Sequence, residues 1–141
     1  MSTTEFTDEE IATLRKGATG AGMLVAVSDR SFFDSFKEAG AMAKHLNSAR
    51  ENSDSQLIRR LGEGRGTGFG MTDSASEIES ETTEALRAGT QLLATKAPGE
   101  LDAYRSFVLD LARSVASAAG GGDEKEAQAV EKVRSALGPE A

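Results

Sequence analysis

Between residues 101 and 119 the chain reads LDAYRSFVLDLARSVASAA. Leu101, Tyr104, Phe107, Val108, Leu111, Ala112, Val115, Ala116 and Ala119 recur there three and four residues apart. Asp102, Arg105, Ser106, Asp110, Arg113 and Ser117 fall on the opposite side, so the segment predicts an amphipathic helix with one apolar stripe. A strand would mix charged and core residues on both faces, because its side chains alternate. This helix is the expected centre of the fold, on which the other helices hide their own apolar faces.

The same spacing recurs along the rest of the chain. Thr7 and Glu10 stand at capping-box distance, and Asp8, Glu9 and Glu10 suit the positive end of a helix dipole. From there Ile11, Leu14, Ala18, Ala21, Leu24 and Val25 predict a helix running toward Ser28. Gly17, Gly20 and Gly22 interrupt it, each at a cost of about 1 kcal/mol relative to Ala. They imply either a close approach of another helix or a break near Gly17–Gly20. A second helix is expected over residues 31–49, with Phe32, Phe33, Phe36, Ala39, Gly40, Ala43 and Leu46 inward. A short third helix is expected over 54–61, with Leu57, Ile58 and Leu61 inward. The glycine-dense GEGRGTGFG follows, and residues 62–72 are expected to form a flexible loop between two halves.

Residues 73–97 predict a fourth helix whose inward set is Ile78, Ala85, Leu86, Gly89, Leu92 and Leu93. Pro98 stops it, since proline cannot continue the hydrogen-bond ladder. After the helix from Leu101, Gly120–Gly122 breaks the chain. A last helix is expected over 124–137, with Ala127, Val130, Val133 and Leu137 inward and Gly138-Pro139 as its stop. The pattern as a whole predicts one all-α domain, a compact bundle of about six helices.

Composition narrows the function. The 141 residues suit a single domain, and a net charge of −7 argues against nucleic acid, whose binding rests on Lys and Arg neutralising phosphates. There is no cysteine, which excludes disulfides, thiolate metal sites and cysteine nucleophiles. The longest apolar run, Met23–Val27, is far too short to span a membrane, and Met1–Glu10 has neither the basic nor the apolar region of a secretory signal. No stable membrane insertion and a cytoplasmic location are the expectations.

Candidate chemistry is sparse. His45 is the single histidine and sits beside Lys44 with no acid adjacent in sequence, which removes most histidine-based hydrolytic mechanisms. Glu77, Glu81 and Glu84 share one helix face, where the simplest reading is a solvated acidic turn at a helix start. The sharper reading is a Ca²⁺ or Mg²⁺ site, because hard cations need several oxygens. Its ligands would be Asp29, Glu38, Glu77 and Glu81, provided the fold brings the two halves together. GEGRGTGFG fails the G-x-G-x-x-G spacing in every frame and has no Walker lysine, so it reads as a loop rather than a phosphate cradle. Arg59, Arg60 and Arg65 make a basic region in an acidic chain. They are candidate contacts for an anionic ligand or an acidic partner, including the Glu-rich face of a second copy.

The two ends of the chain echo each other. Val27 corresponds to Val115, and Lys37-Glu38-Ala39 to Lys125-Glu126-Ala127, as though a helix–break–helix unit had been duplicated. The second unit, VASAAGGGDEKEAQAVEKVRSAL, resembles the TerB-like domains of bacterial tellurite-resistance proteins, most closely over Leu101–Leu137 and less over Ala21–Ala49. That resemblance implies a compact helical fold of two such units, an Ala-Asp-Gly at each break and acids that hold a divalent cation. Here the first break keeps Asp29 and Glu38 without the glycine. The second keeps the glycines and Glu126 but has Ala119 in place of the aspartate. The function implied is a non-enzymatic protein-interaction module of a bacterial stress response, working through a protein partner or as a homo-oligomer. No cofactor is expected beyond a possible divalent cation. The alternative is a domain that binds a divalent metal or an anionic ligand.

Overall fold

The computed structural model describes residues 6–28, 44–51, 55–63, 75–118 and 124–138, and all of its regular structure there is helical. The helices are α1 (Asp8–Ser28), α2 (residues 44–51), α3 (Gln56–Glu63), α4 (Ala75–Lys96), α5 (Leu101–Ala118) and α6 (Glu124–Leu137). A 3-10 turn, Pro98–Glu100, joins α4 to α5. The all-α bundle predicted from the spacing is therefore the architecture. The first unit of the proposed duplication falls mostly on residues 29–43, and most of the glycine-dense segment on 64–74. Both lie outside the described residues.

The bundle is built around α1, not around α5. Leu14, Ala18, Ala21, Leu24 and Val25 are buried, and so are Gly17, Thr19, Gly20 and Gly22, so from Gly17 to Gly22 no face of the helix is open to water. A helix enclosed on every side needs neighbours close all round it, and small side chains allow that. Helices α4, α5 and α6 each pack on α1, and α3 touches it as well. Gly17 does not break the helix; it is where another helix comes close. A methyl group there would lie 2.6 Å from the Tyr104 hydroxyl and 3.0 Å from Leu86 Cδ2. Gly89 on α4 borders the same space, 3.4 Å from that hydroxyl and 3.0 Å from Leu14 Cδ2 by the same measure. Tyr104 is wholly buried, and its hydroxyl donates to the Leu14 carbonyl at 2.7 Å. Burial pushes its phenol well above the usual range, so it remains a donor.

Helices α1 and α4 run antiparallel, as their ion pairs record. Glu10 near the start of α1 meets Lys96 at the end of α4 (2.7 Å), while Lys16 meets Glu81 near the start of α4 (3.0 Å). The predicted capping box is formed in full. The Thr7 amide donates to Glu10 Oε1 (2.8 Å) and the Glu10 amide to Thr7 Oγ1 (3.1 Å). Lys96 also stands 5.2 Å from the centre of the Phe6 ring.

Helix α5 shows the predicted two faces. Tyr104, Phe107, Val108, Leu111, Ala112 and Val115 are buried, and Asp102, Ser106, Asp110 and Arg113 are exposed. In α6 the buried set is Ala129, Val133, Ala136 and Leu137. Ala127, expected inward, is exposed instead, since alanine tolerates either environment and marks a face poorly. Helix α6 ends as expected, with Gly138 at φ +84°, the left-handed conformation that glycine adopts without a Cβ clash. Arg105 of α5 donates its Nε–H to the Leu137 carbonyl at 3.2 Å, a cation where the helix dipole is negative.

At the other side α3 crosses α2 over Gly62, where a Cβ would lie 2.5 Å from the Leu46 carbonyl oxygen and 2.9 Å from the Arg50 nitrogen. Ser55 caps α3 by accepting from the Ile58 amide (3.2 Å) and ties it to the 3-10 turn by donating to Glu100 (2.6 Å). Among the described residues no helix is long and apolar enough to cross a membrane.

Candidate interaction groove

Helices α4 and α6 lie side by side on α1, and an open groove of about 510 Å³ runs between them. Its α4 wall is Glu79, Thr83 and Arg87, four residues apart and so stacked along one line of the helix. Its α6 wall is Ala127, Gln128, Glu131, Lys132, Ser135 and Ala136. Leucine in place of Ala127 or Ala136 would fill the groove with core-like volume.

Charges of both signs rim the groove. Lys132 reaches Glu79 across it at 2.8 Å, and Glu131 pairs along its own helix with Arg134 at 3.3 Å. These are half-exposed pairs, each worth about 0–1 kcal/mol, so they shape the rim more than they stabilise the fold. Thr83 donates its hydroxyl to the Glu79 carbonyl (2.8 Å), which leaves its oxygen as an acceptor. Arg87 is exposed and makes no ion pair among the described residues. The groove thus offers a guanidinium, an ammonium, two carboxylates and an amide on a floor of small side chains. That arrangement suits hydrogen bonding and charge matching with another surface. No buried nucleophile–base pair lines it.

Of the candidate residues named from sequence, Glu77, Glu81, Arg59 and Arg60 are among the described ones. Glu77 is exposed in the first turn of α4, and Glu81 is engaged by Lys16. Asp29 and Glu38 lie outside the described residues. Among the described residues no three His, Asp or Glu side chains are grouped so as to hold a metal ion. Arg59 is exposed on α3, next to Arg60, whose guanidinium donates to the Phe6 carbonyl (3.1 Å) and pairs with Asp8 (3.2 Å). Arg60 therefore ties α3 to the start of α1, and Arg65 lies outside the described residues.

His45 is half-buried on α2 and stacks on Phe107 of α5, with ring centres 5.5 Å apart. Burial lowers its pKa, opposed by Asp110 and by a hydrogen bond to the Phe107 carbonyl. Asp110 is distant in sequence, which is why the chain read alone left His45 without an acid. The groove went unnoticed for a similar reason. Its signal, Glu79-Thr83-Arg87 at a spacing of four, is what any solvated helix face carries, and only the packing of α6 alongside makes it a wall. No protein-family model, curated protein or solved structure matches the chain.

Proposed function

We propose that the chain is a non-enzymatic protein-interaction module, similar to TerB-like helical domains, that acts in the cytoplasm in a bacterial stress response and receives its partner in the α4–α6 groove. The observation that carries this reading is the groove's chemistry. Two alanines and a set of polar and charged side chains of both signs line it, it is broadly open to solvent, and one ion pair, Lys132–Glu79, bridges it. Protein interfaces are rimmed in this way, whereas pockets for small substrates enclose them and converge a few polar groups on one point. The stress-response assignment rests on the resemblance over Leu101–Leu137 alone.

The test is site-specific photocrosslinking in bacteria expressing the full chain, with benzoylphenylalanine in place of Gln128 in the groove or of Arg113 on the far exposed face of α5. Discrete protein adducts from position 128 and none from 113 are expected. Equal labelling from both positions, or none from 128, overturns the reading.

A further inference from the structure

Glu77 aside, which is also engaged within the chain, the charged residues of α4 divide into two groups. Glu79, Glu81 and Lys96 are each committed within the chain, to Lys132, Lys16 and Glu10. Glu84 and Arg87 are exposed and make no ion pair with any described residue, although three positions of helix place them on the same side. They carry opposite charges on the outer ridge of α4, and Arg87 is at the same time a wall of the groove. A surface holding one acid and one base a turn apart complements itself. When two copies meet antiparallel about a two-fold axis between these positions, each Glu84 faces the other copy's Arg87, and both pairs form at once.

The ridge and the groove also agree in shape. Around Glu84 the exposed ridge of α4 carries Ser80 and Ala88, short enough for two helices to approach closely. Ala127 and Ala136 of the groove lining are short as well. Net charge sharpens the choice of partner. A chain of −7 repels its own copies at long range, so a self-association surface needs local neutrality, and the four groove charges (Glu79, Glu131, Arg87 and Lys132) cancel. An acidic partner would be repelled by Glu79 and Glu131, and a basic one by Arg87 and Lys132.

We propose that the α4–α6 groove takes a second copy of this chain, forming a two-fold dimer in which the α4 ridge of each copy seats in the other's groove and Glu84 pairs reciprocally with Arg87. This names the partner for the interaction-module reading and rests on it. An interface of standard size hides about 800 Å² per copy, roughly a tenth of the 8208 Å² that the chain exposes. Two helices about 33 and 21 Å long, from their residue counts, provide a face on the low side of that size. The dimer is accordingly reversible and dependent on concentration.

Sedimentation equilibrium of the full chain, Glu84→Arg, Arg87→Glu, their equimolar mixture and the double variant tests it. All five samples are first checked by circular dichroism for unchanged helicity, which surface substitutions of this kind leave intact. The wild type is expected to approach twice the 14.8 kDa chain mass as concentration rises, and to dissociate in high salt. Each single variant places like charges opposite each other and weakens the dimer by about tenfold or more. Mixing the two restores association as a heterodimer, and the double variant associates like the wild type. A wild type that stays monomeric up to roughly 0.5 mM overturns the dimer. So do single variants that associate undiminished, and a mixture that does not recover. If the wild type is monomeric while position 128 still crosslinks to a different protein, the dimer is overturned and the interaction module stands.

Discussion

Replacing Gly17 by alanine tests the packing at the heart of the bundle. In an ordinary helix interior this change stabilises by about 1 kcal/mol, because alanine restricts the unfolded chain more than glycine does. Here the new methyl would sit 2.6 Å from the Tyr104 hydroxyl, well inside contact distance. Leu86 Cδ2, at 3.0 Å, is the end of a flexible side chain and can rotate away; the tyrosine ring is rigid, wholly buried and tied to Leu14. Displacing it forfeits a buried hydrogen bond, about 1–3 kcal/mol when the hydroxyl finds no substitute. Overpacking adds about 1–3 kcal/mol. The net expectation for Gly17→Ala is a loss of about 2–4 kcal/mol, or a fall in melting temperature of about 6–12 °C at roughly 3 °C per kcal/mol. The decisive measurement is a double-mutant cycle by urea denaturation. Tyr104→Phe alone costs about 1 kcal/mol, since the Leu14 carbonyl keeps its partner within the helix. It also removes the atom that the methyl strikes, so adding Gly17→Ala in that background is near neutral. The coupling is then about 2–4 kcal/mol. Additivity within about 0.5 kcal/mol, or a stabilising Gly17→Ala, would refute the close approach.

Other sites respond to different physics. Gly62→Ala puts a methyl against backbone atoms of α2 that cannot rotate aside; it should cost about 2–3 kcal/mol and strip amide-exchange protection from α3 first. Thr82 is wholly buried on α4 with no hydrogen-bond partner for its hydroxyl, so the isosteric Thr82→Val should raise stability by about 1 kcal/mol in the urea midpoint. His45 is held below the usual 6.5 by burial against Phe107, so the folded chain binds fewer protons than the unfolded one once pH drops below that value. Its contribution is complete above pH 6.5 and is lost as pH falls through the folded pKa. The urea midpoint should thus decline as pH falls below 6.5 in the wild type and change less in His45→Gln. Glu10, held low by Lys96 and the Thr7 amide, acts in a more acidic window. Its stabilisation is present above the usual 4.5 and lost as pH falls through the folded value, a decline that Glu10→Gln should remove.

What could be read from the chain, and what could not, follows from how each signal arises. Capping boxes and helix stops are local, so Thr7, Glu10 and Gly138 were legible, and the bounds of α6 coincide with the expectation. The stripe of α5 was legible because one wet face and one dry face give a period. The centrality of α1 was not, for the opposite reason. A helix surrounded on all sides has no wet face and so no stripe, and its small residues look like flaws rather than contacts. Gly17, Gly20 and Gly22 were the marks of the bundle's axis, but they resemble the marks of a break until Tyr104 and Leu86 are seen against the first of them. Thr82 was missed because a threonine on a helix reads as solvent-facing, yet it occupies the same inward row as Ile78, Ala85 and Leu86.

The same distinction separates the two kinds of candidate site. Residues chosen for their chemistry, such as Glu81 and Arg60, are engaged inside the molecule: Glu81 fixes α4 to α1, and Arg60 fixes α3 to the start of α1. Charge type alone does not separate a side chain that binds a ligand from one that binds a neighbouring helix, since both need an opposite charge within reach. The residues left over are Glu84, marked in the sequence only as part of an acidic helix face, and Arg87; they gain their meaning by subtraction, once Glu79, Glu81 and Lys96 have found partners within the chain. An exposed ion pair is worth so little that its absence inside a helix costs a monomer almost nothing. Between two copies, though, two such pairs form for one loss of rotational freedom and set the register of the contact. That is why the unpaired charges mark the surface to test.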